Sequence, residues 1–205
     1  MKVLVVGASG LIGSAVVEAL KARGDEVIEA SRSGKHKVDL TDPASIKALF
    51  TEIGKVDAIA ATAGHTPFKP FKEMQVSDFE AGLDDKFLGQ VSLVQIGVDY
   101  LTDGGSFALM SGVLADDPII MGSVASSVNG AIQAFTRAAA IELPRGIRIN
   151  NIAPTILAEA KPGVIALFPG EIPVPAFEVG QAYVKAIHGA HTGQTIRVGY
   201  VPGGK

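Results

Sequence analysis

Gly7-Ala8-Ser9-Gly10-Leu11-Ile12-Gly13 is the stretch that decides the fold. It directly follows Lys2-Val3-Leu4-Val5-Val6, a compact run suited to a buried strand. It also opens a helical pattern over Leu11 to Ala22, in which Ile12, Val16 and Leu20 share a face and Gly24 supplies the stop. Glycines at this spacing between a strand and a helix have separate uses. Gly7 permits a tight turn, Gly10 lets backbone come close to a diphosphate, and Gly13 lets the helix lie close on the strand. The helix start then offers unpaired N–H groups and partial positive charge to an anion. The reading is a dinucleotide-binding loop, with Gly7, Ser9, Gly10, Leu11, Ile12 and Gly13 as its candidate residues. A glycine-rich turn that only packs is the alternative.

Beyond the loop, short apolar runs alternate with helical patterns to the end of the chain. Strands are expected at Glu26–Ala30, Lys37–Leu40, Asp57–Ala61, Ser106–Met110, Ile147–Ile152 and Thr195–Val198. Thr41-Asp42-Pro43 opens a helix with apolar Ile46, Leu49, Phe50 and Ile53 on one face, ended by Gly54. Ser77-Asp78-Phe79-Glu80 has capping-box spacing and starts a helix reaching about Leu101. Further helices are expected over Gly122–Leu143 and Glu178–Ile187. Strands joined by helical crossovers predict an α/β protein: a doubly wound parallel sheet of about seven strands with helices on both faces, a Rossmann fold. No linker or repeat divides residues 1–205, so one NAD(P)-binding domain is expected. The proline-rich stretch Glu159–Pro175 is irregular and reads as a flap over a site.

Composition narrows the function. The 205 residues are 47% hydrophobic and 19% charged, against a usual charged share of about 25%. A chain this size buries roughly 70% of its unfolded surface, so a large core is available. Net charge is −3 and no basic run exists, which argues against a nucleic-acid partner. With no cysteine, disulfides, thiolate metal sites and a Cys nucleophile are excluded. His188 and His191 have i, i+3 spacing but no third ligand nearby, so no metal is expected. Pro118–Thr136 is free of charge but carries Gly122, Ser123, Asn129 and Gly130, so it is not read as a membrane span. No signal-peptide pattern stands out at the start, and a cytoplasmic location is expected.

Cofactor choice is read after the second strand. An acid that binds ribose is expected there, about 20 residues past the loop, but Ser31-Arg32-Ser33 stands in its place. Arg32 can pair with a 2′-phosphate, which favours NADP, with NAD still possible.

Together these segments resemble the short-chain dehydrogenase/reductase family, over essentially the whole chain. Asp39-Leu40 resembles the family's adenine-contacting pair, and Ala61-Thr62-Ala63-Gly64 is similar to its Asn-Asn-Ala-Gly segment. Arg145-Gly146-Ile147-Arg148-Ile149-Asn150 and Ala153-Pro154 match the run into its sixth strand, with Thr155 replacing the usual glycine. The resemblance implies that Arg32, Asp39, Leu40, Ala63, Gly64, Pro154 and Thr155 join the loop in holding the cofactor.

The resemblance breaks at the chemistry. The family uses a Tyr-x-x-x-Lys pair on the helix over Gly122–Leu143 and a serine after the fifth strand. Here Asn129 stands at the lysine position, and the residue four before it is Ala125. The serine position falls on Gly112 by direct spacing, or on Ser111 with a gap of one. The structural asparagine of the preceding helix is replaced by Lys86. Lysine and asparagine have thus exchanged places, as in the ketoreductase domains of modular polyketide synthases, which this constellation resembles locally. The expected catalytic set is Lys86, Ser111 and Asn129, with Ser123, Ser126 or His65 as further proton donors to consider. Two functions follow: an atypical NADP(H)-dependent reductase of a small carbonyl or alcohol, or an NAD(P)-binding sensor or interaction protein with weak or no turnover. The charge-poor helices around Phe87–Val98 and Gly122–Ala140 correspond to the family's dimer interface, which implies a homodimer or homotetramer.

Overall fold

A computed structural model of the chain describes residues 1–202. Its sheet has seven parallel strands in the order β3-β2-β1-β4-β5-β6-β7. These are β1 (Lys2–Val6), β2 (Glu26–Ser31), β3 (His36–Lys37), β4 (Val56–Ala61), β5 (Leu101–Met110), β6 (Arg148–Pro154) and β7 (Thr195–Val198). The helices are α1 (Leu11–Ala22), α2 (Pro43–Ile53), α3 (Val76–Gly82), α4 (Gly89–Gly97), α5 (Ser123–Glu142), the single turn α6 (Pro162–Ile165) and α7 (Ala176–His188).

Period-2 alternation splits the core in two. Val3 and Val5 pack with Val16 and Leu20 of α1 and Tyr183 and Ile187 of α7. Leu4 and Val6 pack on the other face with Ile46 and Phe50 of α2, Leu93 of α4, and Val128 and Ile132 of α5. Because both faces of β1 are covered, Val3–Val6 reads as a continuous apolar run. The chain winds outward from β1 to β3, then returns to β4 on the other side of β1. The crevice beyond β1 and β4 is therefore the topological switch point, where open α/β sheets bind ligands.

Three elements differ from expectation. The third strand is His36–Lys37 rather than Lys37–Leu40. The Asp39 carboxylate accepts from the amide and hydroxyl of Thr41, at 3.0 and 2.8 Å, and the Asp39 amide donates to Ser45 Oγ, which bends this stretch into a turn. The capping box lies at Gln75 and Asp78, two residues before the expected Ser77 and Glu80, with the Gln75 amide donating to Asp78 Oδ2 at 2.9 Å. The long helix that follows is interrupted by a π-helical turn over Leu83–Leu88. The fifth strand starts early, at Leu101, and its register with β4 shifts between Val56 and Ala58. Among the described residues, no helix is long and apolar enough to cross a membrane.

Candidate active site

The glycine loop makes a close-fitting cradle. Gly7 has φ +88, and a Cβ there would lie 2.8 Å from both Thr62 Oγ1 and the Ala63 amide nitrogen. A Cβ on Gly13 would lie 2.0 Å from the Gly7 carbonyl oxygen, so α1 and the loop can touch only without side chains. Gly10 caps α1 without a side-chain bond, and the amides of Leu11 and Ile12 have no acceptor among the described residues. Those N–H groups remain available to an anion.

A cleft of about 370 Å³ opens from this loop, lined by Gly7, Ser9, Gly10, Arg32, Asp39, Leu40, Ala63 and Gly64. Eight of the predicted binding residues therefore share one wall system, with Leu11 and Ile12 at the helix start beside it. Gly13 is buried against the loop instead of facing the cleft. Arg32 is exposed at the far end. The Thr41 hydroxyl and amide hold the Asp39 carboxyl below its ordinary value, and the charge of Arg32 acts in the same direction. Sequence reasoning did not name Ser31, Thr41, Thr62 and Asp85 among the binding residues, and gave His65 only as a proton donor to consider; all five line the cleft. Asp85 had a signal, since it adjoins Lys86, a residue already singled out.

Pro154 and Thr155 do not reach this cleft. Thr155 is buried at the end of β6, and its hydroxyl donates to Glu171 Oε2 from the following segment. The Thr155 hydroxyl hydrogen is thus used within the protein.

Beyond Gly64 lie the residues expected to carry chemistry. Lys86 sits on the π-helical turn, and its Nζ donates to Asn129 Oδ1 at 2.7 Å and to the Ser111 carbonyl at 3.2 Å. The Lys86 stem passes over Gly64 (φ +128), where a Cβ would lie 2.6 Å from Lys86 Cγ. Buried Gln90 fixes the turn from behind. Its amide donates to the carbonyls of Lys86 and Met110, both at 3.0 Å, while its oxygen accepts the Met110 amide at 2.8 Å. Burial pushes the Lys86 ammonium down to about 8, with the negative charge of Asp85 acting the other way.

Ser111 requires a correction. It gives Lys86 its carbonyl, while its hydroxyl donates to Asn151 Oδ1 at 2.6 Å, and the Asn151 amide donates to Thr195 Oγ1. The hydroxyl is committed to β6 because Ser111 continues the β5–β6 pairing, its amide bonding to the Ile152 carbonyl. Gly112 is the residue that faces Asn129, since a Cβ there would lie 3.0 Å from Asn129 Nδ2.

Ala125, one turn before Asn129 on α5, is buried in an apolar cluster with Val113, Leu114, Ile156 and Phe168. The chain's three tyrosines are elsewhere. Tyr183 donates to the Ala61 carbonyl at 2.6 Å, Tyr200 to Asp116 Oδ2 at 2.8 Å, and Tyr100 stacks on Phe50. Burial raises the hydroxyl pKa of both Tyr183 and Tyr200, which makes them poorer acids. Of the other donors considered, the Ser126 hydroxyl is buried without a partner, and the His65 amide donates to Asp85 Oδ1 at 3.3 Å. His188 pairs with Asp25 at 2.8 Å.

Known proteins share this fold. A family model described as Enoyl-(Acyl carrier protein) reductase matches residues 7–168. The solved structure of protein lin1944 from Listeria innocua is 43% identical, with a TM-score of 0.93, and covers 97% of this chain and 99% of that one. A small-chain dehydrogenase solved in complex with NADPH is 29% identical, with a TM-score of 0.86, covering 97% and 96%. Hydroxynaphthalene reductase arp2 of Aspergillus fumigatus is 28% identical over 153 residues, which are 72% of this chain and 54% of that protein, so the match spans about half of the fungal reductase. By family model, sequence and fold, this chain belongs to the short-chain dehydrogenase/reductase family.

Proposed function

We propose that the chain is an NADPH-dependent reductase of small carbonyl compounds in which Lys86 acts directly on the carbonyl oxygen. The carrying observation is the Lys86 ammonium held 2.7 Å from Asn129 Oδ1, on a stem that packs against Gly64 of the cleft wall. The cradle suits a dinucleotide: Gly7, Gly10 and Gly13 leave room for a diphosphate, the free amides of Leu11 and Ile12 face it, and Arg32 stands where a 2′-phosphate can pair. The relative solved with NADPH supports the same cofactor. When bound, the nicotinamide supplies the hydride.

The residues of this chain handle the proton. Reduction builds negative charge on the carbonyl oxygen, and a donor there typically contributes about 10²–10⁴-fold in rate. An ammonium of pKa about 8 is charged at neutral pH and acidic enough to give up a proton, unlike a free lysine. The oxygen takes a proton from Lys86 Nζ. Asn129 Oδ1 and the Ser111 carbonyl hold the remaining N–H groups, and the neutral amine is reprotonated from solvent. Lys86→Met is expected to lower turnover at least about 100-fold while NADPH affinity changes less than about threefold. Turnover at the wild-type rate would remove this role.

Gly112 and Ala125 favour a second reading, a nucleotide-binding protein without turnover, because neither position offers a hydroxyl. NADPH binding with no consumption across a panel of aldehydes and ketones would select it. We also infer a homodimer through α4 and α5, where Leu88, Ala134 and Ala138 are exposed beside the edge-packed rings of Phe87 and Phe135. Light scattering at micromolar concentration checks this, and a monomer mass rejects it.

A further inference from the structure

Gln90 ties together the two stretches of backbone between which the Lys86 ammonium is held. It stands on α4, directly after Gly89, and its side chain is buried. On one side its Nε2 donates to the carbonyl of Lys86 itself, at 3.0 Å. On the other it exchanges two bonds with Met110. Oε1 accepts the Met110 amide at 2.8 Å, and Nε2 donates to the Met110 carbonyl at 3.0 Å. Met110 directly precedes Ser111, whose carbonyl accepts from Lys86 Nζ at 3.2 Å. One carboxamide therefore fixes both the root of the lysine and the strand end that receives its tip.

Both backbones need such a partner. The pairing of β4 with β5 stops at Ala60 and Ala108, while β5 runs on to Met110. The Ser111 amide turns toward β6, to the Ile152 carbonyl, so the Met110 amide and carbonyl turn to the side where β4 has ended. Gln90 supplies there what a further residue of β4 would. On the helix, the Gly89 amide reaches back five residues to the Asp84 carbonyl, which widens the turn around Lys86. Packing alone at this buried position would be met by leucine or methionine. Only the three backbone groups call for a carboxamide, whose donors and acceptor they use together.

We propose that Gln90 is a positioning residue for the Lys86 ammonium, which it keeps on Asn129 Oδ1 and the Ser111 carbonyl and away from water. The proposal rests on the reductase reading for the reaction served, but not for the position itself. Without the carboxamide, three buried backbone groups lose a partner, and the turn and the strand end relax apart. The ammonium then gains water and loses its aim. Asn129 and Ser111 face it from α5 and the end of β5 with neutral groups, and Asp85 on its own turn supplies the charge that acts on it. Its ionisation therefore reports its hydration.

The test follows the Lys86 Cε resonance against pH, by heteronuclear NMR on isotope-labelled lysine in the full chain, assigned by its loss in Lys86→Met. The wild type is compared with Gln90→Met and Gln90→Asn. Methionine keeps the length and removes every bond, whereas asparagine keeps the amide but is too short to span both backbones. The wild-type resonance should titrate at about 8. In Gln90→Met it should titrate at least about one pH unit higher, and in Gln90→Asn it should move the same way by less. Turnover with NADPH and propanal should fall about tenfold to a hundredfold in Gln90→Met, with NADPH affinity changed less than about threefold. A folded variant of either kind whose Lys86 titrates with the wild type overturns the proposal, whatever its loss of stability. If the titration moves as expected yet no protein consumes NADPH with any carbonyl, the positioning role stands and only the reductase reading falls.

Discussion

The Lys86 ammonium and the Asn129 amide oxygen lie 2.7 Å apart, although 43 residues separate them in the chain. The π-helical turn at Leu83–Leu88 and helix α5 are brought together on one face of the sheet, and Gly64 opens the path between them. Since Asn129 is neutral, the pair leaves the lysine partly desolvated with a dipole rather than a carboxylate as partner. The depressed pKa follows from that arrangement.

The pH dependence of reduction should carry this signature. A proton donor must be charged, so kcat/KM for carbonyl reduction should be flat below about 8 and fall tenfold per pH unit above it. Oxidation of the alcohol, which needs the neutral amine, should rise over the same range. Asn129→Asp places an anion beside the ammonium and should move both breaks upward. Profiles of the variant and the wild type that break at the same pH would exclude Lys86 as the titrating group.

Gly64→Ala should be damaging although the change is one methyl group. The backbone there has φ +128, and the new Cβ would sit 2.6 Å from Lys86 Cγ. A strained residue of this kind costs about 1–3 kcal/mol, which denaturant titration can resolve. Turnover should fall further than stability explains, because the side chain that must move is Lys86. A variant with full activity would mean that the lysine does not need this path.

Arg32→Ala should act on cofactor choice alone. Hydrogen bonds to a charged group are worth about 1.5–3 kcal/mol, so the preference for NADPH over NADH should drop about tenfold to a hundredfold. Binding of NADH should be nearly unchanged. An unaltered ratio of dissociation constants would assign the 2′-phosphate to some other group.

Asp25 offers a test of the fold away from the site. Burial alone would raise its carboxyl, but hydrogen bonds from the Met1 amino group and His188 outweigh it, and the pKa is lowered. A carboxylate depressed in the folded state contributes stability that is full above its unfolded pKa of about 3.9 and is lost as pH falls through the folded value. Asp25→Asn should therefore cost about 1–3 kcal/mol at pH 7, and the gap to wild type should narrow toward pH 3. Urea unfolding at pH 7 and pH 3 measures both numbers, and a gap independent of pH would contradict this pairing.

Much of the fold was legible locally. Lys2–Val6, the glycine loop and Leu11–Ala22 announce a strand, a tight turn and a helix within a short span of residues, and each sits where expected. Asp42-Pro43 likewise marked the start of α2, where the Asp42 carboxylate accepts the Ala44 amide at 2.9 Å. The third strand was misread because Val38-Asp39-Leu40 has strand-like apolarity, and only the Asp39 bonds to Thr41 show that the chain has already turned. Gly112 and Ser111 could not be told apart by spacing. Their difference is the direction of a side chain at a strand end, and Asn151 of β6 decides it.

The sequence alone determined the elements and their parallel winding, because apolar periodicity, glycine turns and helix caps act over a few residues and need no distant partner. It also named Lys86 and Asn129, but through likeness to a family rather than through any local rule. Only the tertiary structure decided which groups meet: the ammonium of Lys86 on Asn129, the hydroxyl of Ser111 on Asn151, and Ala125 within the apolar cluster of Val113, Leu114, Ile156 and Phe168. Those contacts depend on close packing between segments far apart in the chain. Such packing is a property of the shared volume they fill, and no single stretch of residues carries it.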